Sequence, residues 1–216
     1  PYRGILGTKP EDVDKYIREA DEMIRVESGG AVAGMVAERI QGVGGCVKQI
    51  KGYLPKMAEL IRSYGGLYVS DEVQCGYGRI GTHYWGFEEE GIVPDIVTTA
   101  KSVANGWTVG VVACKRPIAE AMKGVSYFNT FGGNALCSAV GTETLQIIDD
   151  EKLQQNCAFI GAHLDAGLKK LQEKHMCIGD VRVNGLMSGF EFVRDRETKE
   201  PAPEVLNLLH EALYTD

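Results

Sequence analysis

Short apolar runs alternate with longer amphipathic stretches through the first two thirds of the chain. Residues Glu11–Val26 and Tyr53–Tyr64 carry apolar side chains at helical spacing, whereas Leu67–Ser70 and Ile96–Thr99 are short apolar runs typical of strands. Strands that alternate with helices form β–α–β units, whose connections make the strands parallel within one sheet. The sequence therefore predicts an α/β fold with a mainly parallel sheet flanked by helices.

Further segments continue this pattern. Ala31–Ile40 is predicted to be a buried strand, followed by a glycine-rich loop at Gln41–Gly45. Val109–Cys114 is predicted to be another strand, and Ala135–Asp149 and Leu153–Lys174 have helical spacing. All of these segments extend the same α/β unit.

The pattern changes after about residue 160. Two strand-like runs, Ile178–Val183 and Leu186–Val193, are separated by the pair Asn184-Gly185, which is typical of a β-hairpin turn. We therefore expect residues 1–160 to be part of a large domain and residues 161–216 to begin a smaller α+β domain. Because the chain has no initiating Met and stops just after a helical pattern, we expect it to be an internal fragment.

Charge and composition argue against several classes of partner. The chain has 30 acidic and 23 basic residues, and its net charge is −7. Nucleic acids and anionic membrane surfaces bind clustered Lys and Arg, and a membrane-spanning helix needs about 18 or more apolar residues in a row. Six scattered cysteines without a C-x-x-C pair, and histidines without metal-binding spacing, do not predict a metal site. We expect no nucleic acid, membrane or metal partner.

Two ionisable residues follow apolar runs. Asp71 ends the Leu67 run, and Lys101 comes just after Thr99. The carboxyl ends of parallel strands share one edge of the sheet, where α/β folds bind ligands. A lysine that attacks a carbonyl must lose its proton near neutral pH, which requires surroundings that lower its pKa to roughly 7–8. Position alone favours a lysine that extends into solvent, and a solvated carboxylate in a strand-end turn is the alternative for Asp71.

The residues around Asp71 suggest a ligand with a ring. A buried acid needs a cationic or hydrogen-bonding partner, and a protonated pyridine nitrogen is one such partner. Val73 and Gln74 point to opposite sides of an extended chain, so that Val73 can pack on a planar ring while Gln74 bonds a ring oxygen. The sequence is thus compatible with pyridoxal phosphate as a cofactor.

A third segment, residues 127–134, has glycines and a hydroxyl ahead of a helix. Such a segment can contact a phosphate, or it can be a turn in which Asn134 caps the helix. Gly76–Gly81 matches the spacing of a dinucleotide-binding loop. Because no helical pattern follows it, a nucleotide site is not predicted there.

Three stretches together resemble the class III aminotransferases, which have the type I fold of pyridoxal-phosphate enzymes. They are Ser70-Asp-Glu-Val-Gln-Cys-Gly-Tyr-Gly-Arg-Ile-Gly81, Pro94-Asp-Ile-Val-Thr-Thr-Ala-Lys101 and Phe128-Asn-Thr-Phe-Gly-Gly-Asn134. The resemblance covers nearly the whole chain. Within the family it is strongest to the mitochondrial alanine–glyoxylate group, and phospho-lyases are the nearest rivals. It implies the large domain of that fold plus the start of the small C-terminal domain.

The resemblance assigns roles to residues that bind the cofactor. Lys101 forms a Schiff base with pyridoxal phosphate and then serves as base and acid in the proton transfer. Asp71 pairs with the pyridine nitrogen, Val73 packs on the ring and Gln74 bonds the phenolic oxygen. Lys101 and Asp71 are therefore the expected catalytic residues.

Two further assignments also come from the resemblance. Thr130 reaches the cofactor phosphate in a neighbouring subunit, which implies a homodimer or homotetramer with shared active sites. Glu38 is an acid near the cofactor. Arg39 replaces the proline that usually follows that acid, so we expect the strand end to be disturbed there.

The resemblance implies a transaminase that moves an amino group from alanine or a similar donor to glyoxylate or another 2-oxo acid, in mitochondria. A phospho-lyase with the same cofactor and a non-catalytic fragment are the alternatives. The family's phosphate-binding segment near the N-terminus and its late substrate-binding arginine have no counterpart in this sequence. We therefore expect weak cofactor binding by this chain alone.

Overall fold

The structure is a computed structural model that describes residues 3–215. Within that range, no helix has the length and apolar character needed to cross a membrane. The α-helices are α1 (Val13–Glu27), α2 (Tyr53–Ser63), α3 (Arg116–Ala121), α4 (Ala135–Asp150), α5 (Leu153–Lys174) and α6 (Pro203–Thr215). The strands are β1 (Gly34–Glu38), β2 (Ile40–Gln41), β3 (Val47–Lys48), β4 (Leu67–Asp71), β5 (Ile96–Thr99), β6 (Val111–Cys114), β7 (Ile178–Asn184) and β8 (Met187–Phe192).

The main sheet has four strands in the order β1-β4-β5-β6. Strand β4 pairs in parallel with both β1 and β5, which confirms the predicted mainly parallel sheet. Strand β6 runs antiparallel to β5. The connection of residues 100–110 explains this direction, because a crossover to a parallel strand needs a dozen or more residues.

The strand predicted at Ala31–Ile40 is shorter and less buried than expected. Strand β1 lies at an edge of the sheet, and the side chain of Val36 on one of its faces is 66% exposed. On the other face, Met35 and Ala37 pack against the core. The expectation of a buried strand was wrong for one face of β1, because only the other face is covered among the described residues.

The core of the sheet is formed by α2 packing on β4. Leu54 and Ala58, four residues apart on one face of α2, contact Tyr68 of β4 and Ile92. These four residues are almost fully buried. Each large apolar side chain in such a position contributes roughly 1.5–3 kcal/mol through removal from water.

A buried carboxylate joins the elements at the amino end of β5. Asp95 accepts hydrogen bonds from Arg62 Nε of α2 at 3.0 Å, from Lys115 Nζ at 2.6 Å and from the Tyr68 backbone N–H at 2.9 Å. Burial by itself raises the pKa of Asp95, but the bonds from Lys115 and Arg62 outweigh it and hold the pKa at about 2. Asp95 therefore ties α2, β4 and the residue after β6 to the start of β5.

The last third of the chain packs through α5. This helix contacts β7, which forms the predicted hairpin with β8. The turn lies one residue later than predicted, because Asn184 pairs with Met187 and the loop residues are Gly185 and Leu186. A Cβ atom added at Gly161 would lie 2.4 Å from the carbonyl oxygen of Gly185, so the helix and the turn are in direct backbone contact. The predicted boundary between residues 160 and 161 lies inside α5, and the division into two domains stays a prediction.

Candidate active site

The sheet register brings the carboxyl ends of three strands together. Glu38 of β1 is paired with Asp71 of β4, which is in turn paired with Thr98 of β5. Lys101 follows two residues after the end of β5. The sequence-based placement of Asp71 and Lys101 at one edge of the sheet agrees with this register.

Lys101 begins a short 3-10 helix, Lys101–Ala104, with an unusual backbone conformation. Its φ is +46°, and that of Asn105 at the other end of the turn is +45°, both in the left-handed region. A non-glycine residue in this region costs on the order of 1–3 kcal/mol and persists only where the surroundings fix it. Here Val103 and Ala104 are buried against Tyr77, and α4 packs over the turn.

The side chain of Lys101 is exposed. Within the part of the chain that the structure describes, the apolar strand and the small-residue turn do not enclose this amine, which extends into solvent. The turn directs Val103 and Ala104 into the core, and Lys101 lies on its outer side. Position after a strand thus predicts where the lysine is, but not how deeply it is buried.

One cavity brings together three of the predicted site residues. Lys101, Val73 and Gln74 line a cavity of about 290 Å³, which Met187 and Ser188 of β8 also line. The amine, the amide and the apolar side chain thus share one space. Asp71, Glu38 and Thr130 do not line it among the described residues.

Asp71 and Glu72 have different environments although they are adjacent. Asp71 is half-buried, and its Oδ1 accepts a hydrogen bond from the Val73 backbone N–H at 3.0 Å. Glu72 is fully buried and accepts bonds from Ser70 Oγ at 2.9 Å and from the backbone N–H of Gly86 at 2.7 Å. Burial raises the pKa of Glu72. Glu72 is thus not a solvated carboxylate of a turn, and its hydrogen bonds fix the strand end.

Glu38 holds the glycine-rich loop after β2. Its Oε2 accepts a hydrogen bond from the Gly42 backbone N–H at 3.0 Å. A Cβ atom at Gly42 would lie 2.4 Å from Gln74 Nε2, so the absence of a side chain lets the loop lie directly on Gln74. Glu38 therefore acts on the cavity through the loop and Gln74.

Arg39 does not disturb the end of β1 as expected. Its side chain is buried and pairs with Glu89 at 2.9 Å and Glu90 at 2.8 Å, and it donates to the Gln49 carbonyl at 2.8 Å. Strand β1 ends regularly at Glu38. The arginine thus has a structural role in a buried ion-pair network.

The segment of residues 127–134 is mostly exposed, and within the described chain it does not line the 290 Å³ cavity of Lys101. Asn134 caps α4, because its side-chain oxygen accepts a hydrogen bond from the Cys137 backbone N–H at 2.9 Å. This geometry supports the capping interpretation of Asn134. Thr130 lies in the turn ahead of it and is not among the residues that line the cavity of Lys101 within residues 3–215.

Sequence reasoning missed Arg79 as a site residue. It lies in Gly76–Gly81, which forms turns and no helix, in agreement with the rejection of a nucleotide site. Arg79 and Ser102 both line the cavity of Lys101. The available signal was a cation in a glycine-rich loop a few residues after Asp71.

Comparisons with known proteins identify the family of the chain. The model of the family "Aminotransferase class-III" matches residues 3–213. The chain belongs to the class III aminotransferase family. This family depends on pyridoxal phosphate and has the type I fold of such enzymes.

Two curated members of the class III aminotransferase family illustrate the range of relatives. The chain is 45% identical over 210 residues to alanine–glyoxylate aminotransferase 2 homolog 2, mitochondrial, of Arabidopsis thaliana, covering 97% of this chain and 43% of that protein. It is 43% identical over 173 residues to ethanolamine-phosphate phospho-lyase homolog 1 of Caenorhabditis elegans, covering 79% and 37%. The chain thus spans less than half the length of these relatives.

Solved class III structures have the same fold. An (S)-enantioselective ω-transaminase from Thermomicrobium roseum superposes with a TM-score of 0.86 at 37% identity, covering 94% of this chain and 46% of that one. A taurine:2-oxoglutarate aminotransferase from Bifidobacterium kashiwanohense, solved with pyridoxal phosphate and glutamate, gives 0.83 at 27% identity, covering 88% and 43%.

Proposed function

We propose that the function of this chain is that of a transaminase, which moves an amino group from alanine or a similar donor to glyoxylate or another 2-oxo acid. The observation that carries the proposal is the shared cavity of Lys101, Gln74 and Val73 at the sheet edge where Asp71 ends β4. An amine, an amide, an apolar contact and a nearby carboxylate are the groups that pyridoxal phosphate requires. The name of the Arabidopsis relative supports the choice of alanine and glyoxylate.

The residues around this cavity fit the cofactor chemically. When bound, pyridoxal phosphate supplies an aldehyde that bonds to amines and a ring that withdraws electrons from the reacting carbon. One oxygen of Asp71 accepts from the Val73 N–H, while Oδ2 accepts no hydrogen bond within residues 3–215. That second oxygen is available to hold a proton on a ring nitrogen.

Each residue then has a defined task. Lys101 Nζ would hold the cofactor through its aldehyde and, when free, would serve as the base and then the acid of a 1,3-proton shift that starts at the substrate carbon. Val73 packs on the ring, and the amide of Gln74 donates to a ring oxygen. Glu38 keeps the loop at Gly42 against Gln74.

We infer that two copies of the chain form a homodimer, on its own or within a homotetramer. Tyr127, Phe128 and Phe131 flank Thr130 and are 77%, 84% and 80% exposed. Exposed aromatic side chains that are clustered in this way are typical of protein interfaces. Thr130 would then contact the cofactor phosphate bound by the other subunit. A mitochondrial location is proposed from the name of the Arabidopsis relative.

The phospho-lyase is the second candidate function. The resemblance to the Caenorhabditis elegans relative supports it. Both reactions use the same lysine and cofactor, so the site residues alone do not separate them. Substrate assays do, because one reaction produces pyruvate from alanine and the other releases inorganic phosphate from phosphoethanolamine.

An absorbance experiment tests the proposal. Purified protein with added pyridoxal phosphate is expected to show the visible band of a lysine–cofactor bond, and Lys101→Ala to lack it. Lys170→Ala is the matched control, because Lys170 is an exposed lysine on α5. A band that persists in Lys101→Ala would refute the assignment of the lysine. No band in any variant would favour a non-catalytic chain.

A further inference from the structure

The chain contains two Asn-Gly steps, and they lie in different surroundings. Asn105-Gly106 ends the turn that begins at Lys101, whereas Asn184-Gly185 lies at the turn of the β7–β8 hairpin. An Asn-Gly step is reactive because glycine has no side chain to hinder its backbone nitrogen. That nitrogen can attack the amide carbon of the preceding asparagine where the local backbone is accessible and free to move. The structure therefore decides which step reacts.

The first step is open to solvent and is not held by hydrogen bonds. Asn105 and Gly106 are both exposed, and a Cβ atom added at Gly106 would meet nothing within 4 Å. Within residues 3–215, neither the Asn105 side chain nor the Gly106 N–H makes a hydrogen bond. The φ of Asn105 is +45°, in the left-handed region that asparagine tolerates better than most residues. The attacking nitrogen and the amide are thus both free to react.

The second step is held by packing. Asn184 is the last residue of β7 and pairs with Met187 of β8. A Cβ atom at Gly185 would lie 2.5 Å from the Ile80 carbonyl carbon, and one at Gly161 would lie 2.4 Å from the Gly185 oxygen. Reaction at this step requires local opening of the hairpin, so its rate falls with the population of the opened state.

The cavity beside Asn105 is lined by cations and by no acid. Asn105 lines a cavity of about 610 Å³ together with Arg79 and Lys101. Among the described residues, no Asp or Glu lines this cavity, and neither cation takes part in an ion pair. Arg39 and Arg62, by contrast, pair with acids. A carboxylate formed at position 105 would therefore face two cations that have no other acidic partner in that part of the chain.

We propose that Asn105 is a site of spontaneous deamidation, and that the product opposes loss of the proton from Lys101. The Gly106 nitrogen bonds to the side-chain amide carbon of Asn105, and ammonia leaves with the proton of that nitrogen, which closes a cyclic imide. Water then opens the imide at either carbonyl and leaves aspartate or isoaspartate, with no change of oxidation state. The modification is independent of the proposed function, whereas its effect on activity rests on it, since Lys101 must be unprotonated to react.

The product would change the site in two ways. A carboxylate near Lys101 favours the charged form of the amine, so that less of the free base is present near neutral pH. Isoaspartate also puts its Cβ atom into the main chain, which lengthens the turn and shifts Lys101 relative to Gln74 and Val73. Both changes lower the reactivity of the lysine. The turn would thus limit the working life of the site.

Mass spectrometry of aged protein tests the modification. The folded chain is incubated at mildly alkaline pH and digested, and the conversion at each Asn-Gly step is measured over time. Deamidation at Asn105 is expected to be about tenfold or more faster than at Asn184, because only the second step requires local opening. In denaturing urea the two rates are expected to converge. Comparable rates in the folded chain, or a faster reaction at Asn184, would overturn the proposal.

Two variants test the consequence without the cofactor. Asn105→Asp carries the product side chain, and Asn105→Gly adopts the left-handed turn but cannot deamidate. The readout is the rate at which acetic anhydride acetylates Lys101 at neutral pH, with the exposed Lys170 as the reference. Asn105→Asp is expected to lower the rate at Lys101 several-fold and to leave the rate at Lys170 unchanged. Ageing is expected to lower the rate at Lys101 in the wild type but not in Asn105→Gly.

Two results of this second experiment would overturn the proposed consequence. They are unchanged acetylation of Lys101 in Asn105→Asp, and an equal decline with age in the wild type and in Asn105→Gly. Equal unfolding midpoints of the variants and the wild type show that the comparison is between folded proteins. Failure of the proposed function is distinguishable, because it removes the cofactor band of Lys101 and leaves the deamidation and acetylation rates as expected.

Discussion

The charged residues at the two ends of β5 differ in whether they have a partner of opposite charge. At the amino end, Asp95 is buried and bonds both Arg62 and Lys115. At the carboxyl end, Lys101 and Arg79 are exposed and have no acidic partner within the described chain. Paired charges hold elements together, whereas unpaired charges at a strand end remain available for a ligand. One short strand thus separates a charge cluster that stabilises the fold from the proposed binding site.

The largest effect is expected from removing the paired charge. Asp95→Ala leaves Arg62 and Lys115 without their acidic partner and leaves the Tyr68 N–H without a hydrogen-bond acceptor. The free energy of unfolding should therefore fall by about 3–5 kcal/mol. Urea denaturation measures the change. Asp150→Ala, at an exposed acid, is the control and should stay within about 0.5 kcal/mol. Equal stability of the two variants would remove the contrast between the two ends of β5.

Helix α5 and the β7–β8 hairpin, which both contact the loop that carries Arg79, meet through close backbone packing. Gly161→Ala should lower the free energy of unfolding by up to about 3 kcal/mol, because the new Cβ would lie 2.4 Å from the Gly185 carbonyl. Gly167→Ala lies on the same helix with open space around the added atom, so it should raise stability by up to about 1 kcal/mol. Thermal unfolding of both variants checks the difference in sign.

Acid should weaken the amino end selectively. The folded pKa of Asp95 is about 2, below its ordinary value of 3.8, so its contribution is present above pH 4 and is lost as the pH falls through 2. The shift corresponds to about 2 kcal/mol at 1.36 kcal/mol per unit. Urea denaturation between pH 5 and 2 measures the loss. Asp95→Asn should have a flatter dependence, and identical slopes would contradict the assignment.

The smallest effect is expected at the lysine itself. Lys101→Gly should raise the free energy of unfolding by up to about 1 kcal/mol, because glycine adopts a φ of +46° without strain. The same change should abolish the cofactor band. Lys170→Gly, inside α5, should lower stability by about 1 kcal/mol. Denaturation of both variants tests whether position 101 is kept for function at a cost in stability.

Local patterns predicted the elements, and in two cases the structure has the same bounds. These are β5 (Ile96–Thr99) and α5 (Leu153–Lys174), because a short apolar run and a long periodic stretch are strong local signals. The strand-end argument also placed Asp71 and Lys101 at one edge. The direction of β6 was not predicted, since it depends on the length of a connection and not on the pattern of the strand.

Burial was harder to predict because it depends on distant residues. Glu72 is buried because Gly86 and Phe87, 14 and 15 residues later, donate to it. Lys101 is exposed because its turn directs other side chains inward. Arg79 was overlooked because it lines the cavity together with Ser102, and the sequence does not show that these two loops are adjacent.

The glycine contact between α5 and the hairpin has a mechanical consequence. Gly161 meets Gly185, and Ala158, one turn earlier on the same helix, meets Gly81 of the loop that carries Arg79. Because no side chains separate these backbones, a displacement of the hairpin cannot be accommodated by side-chain rearrangement. A movement of the hairpin would therefore be transmitted through α5 to the loop at Gly81 and would change the position of Arg79 relative to Lys101.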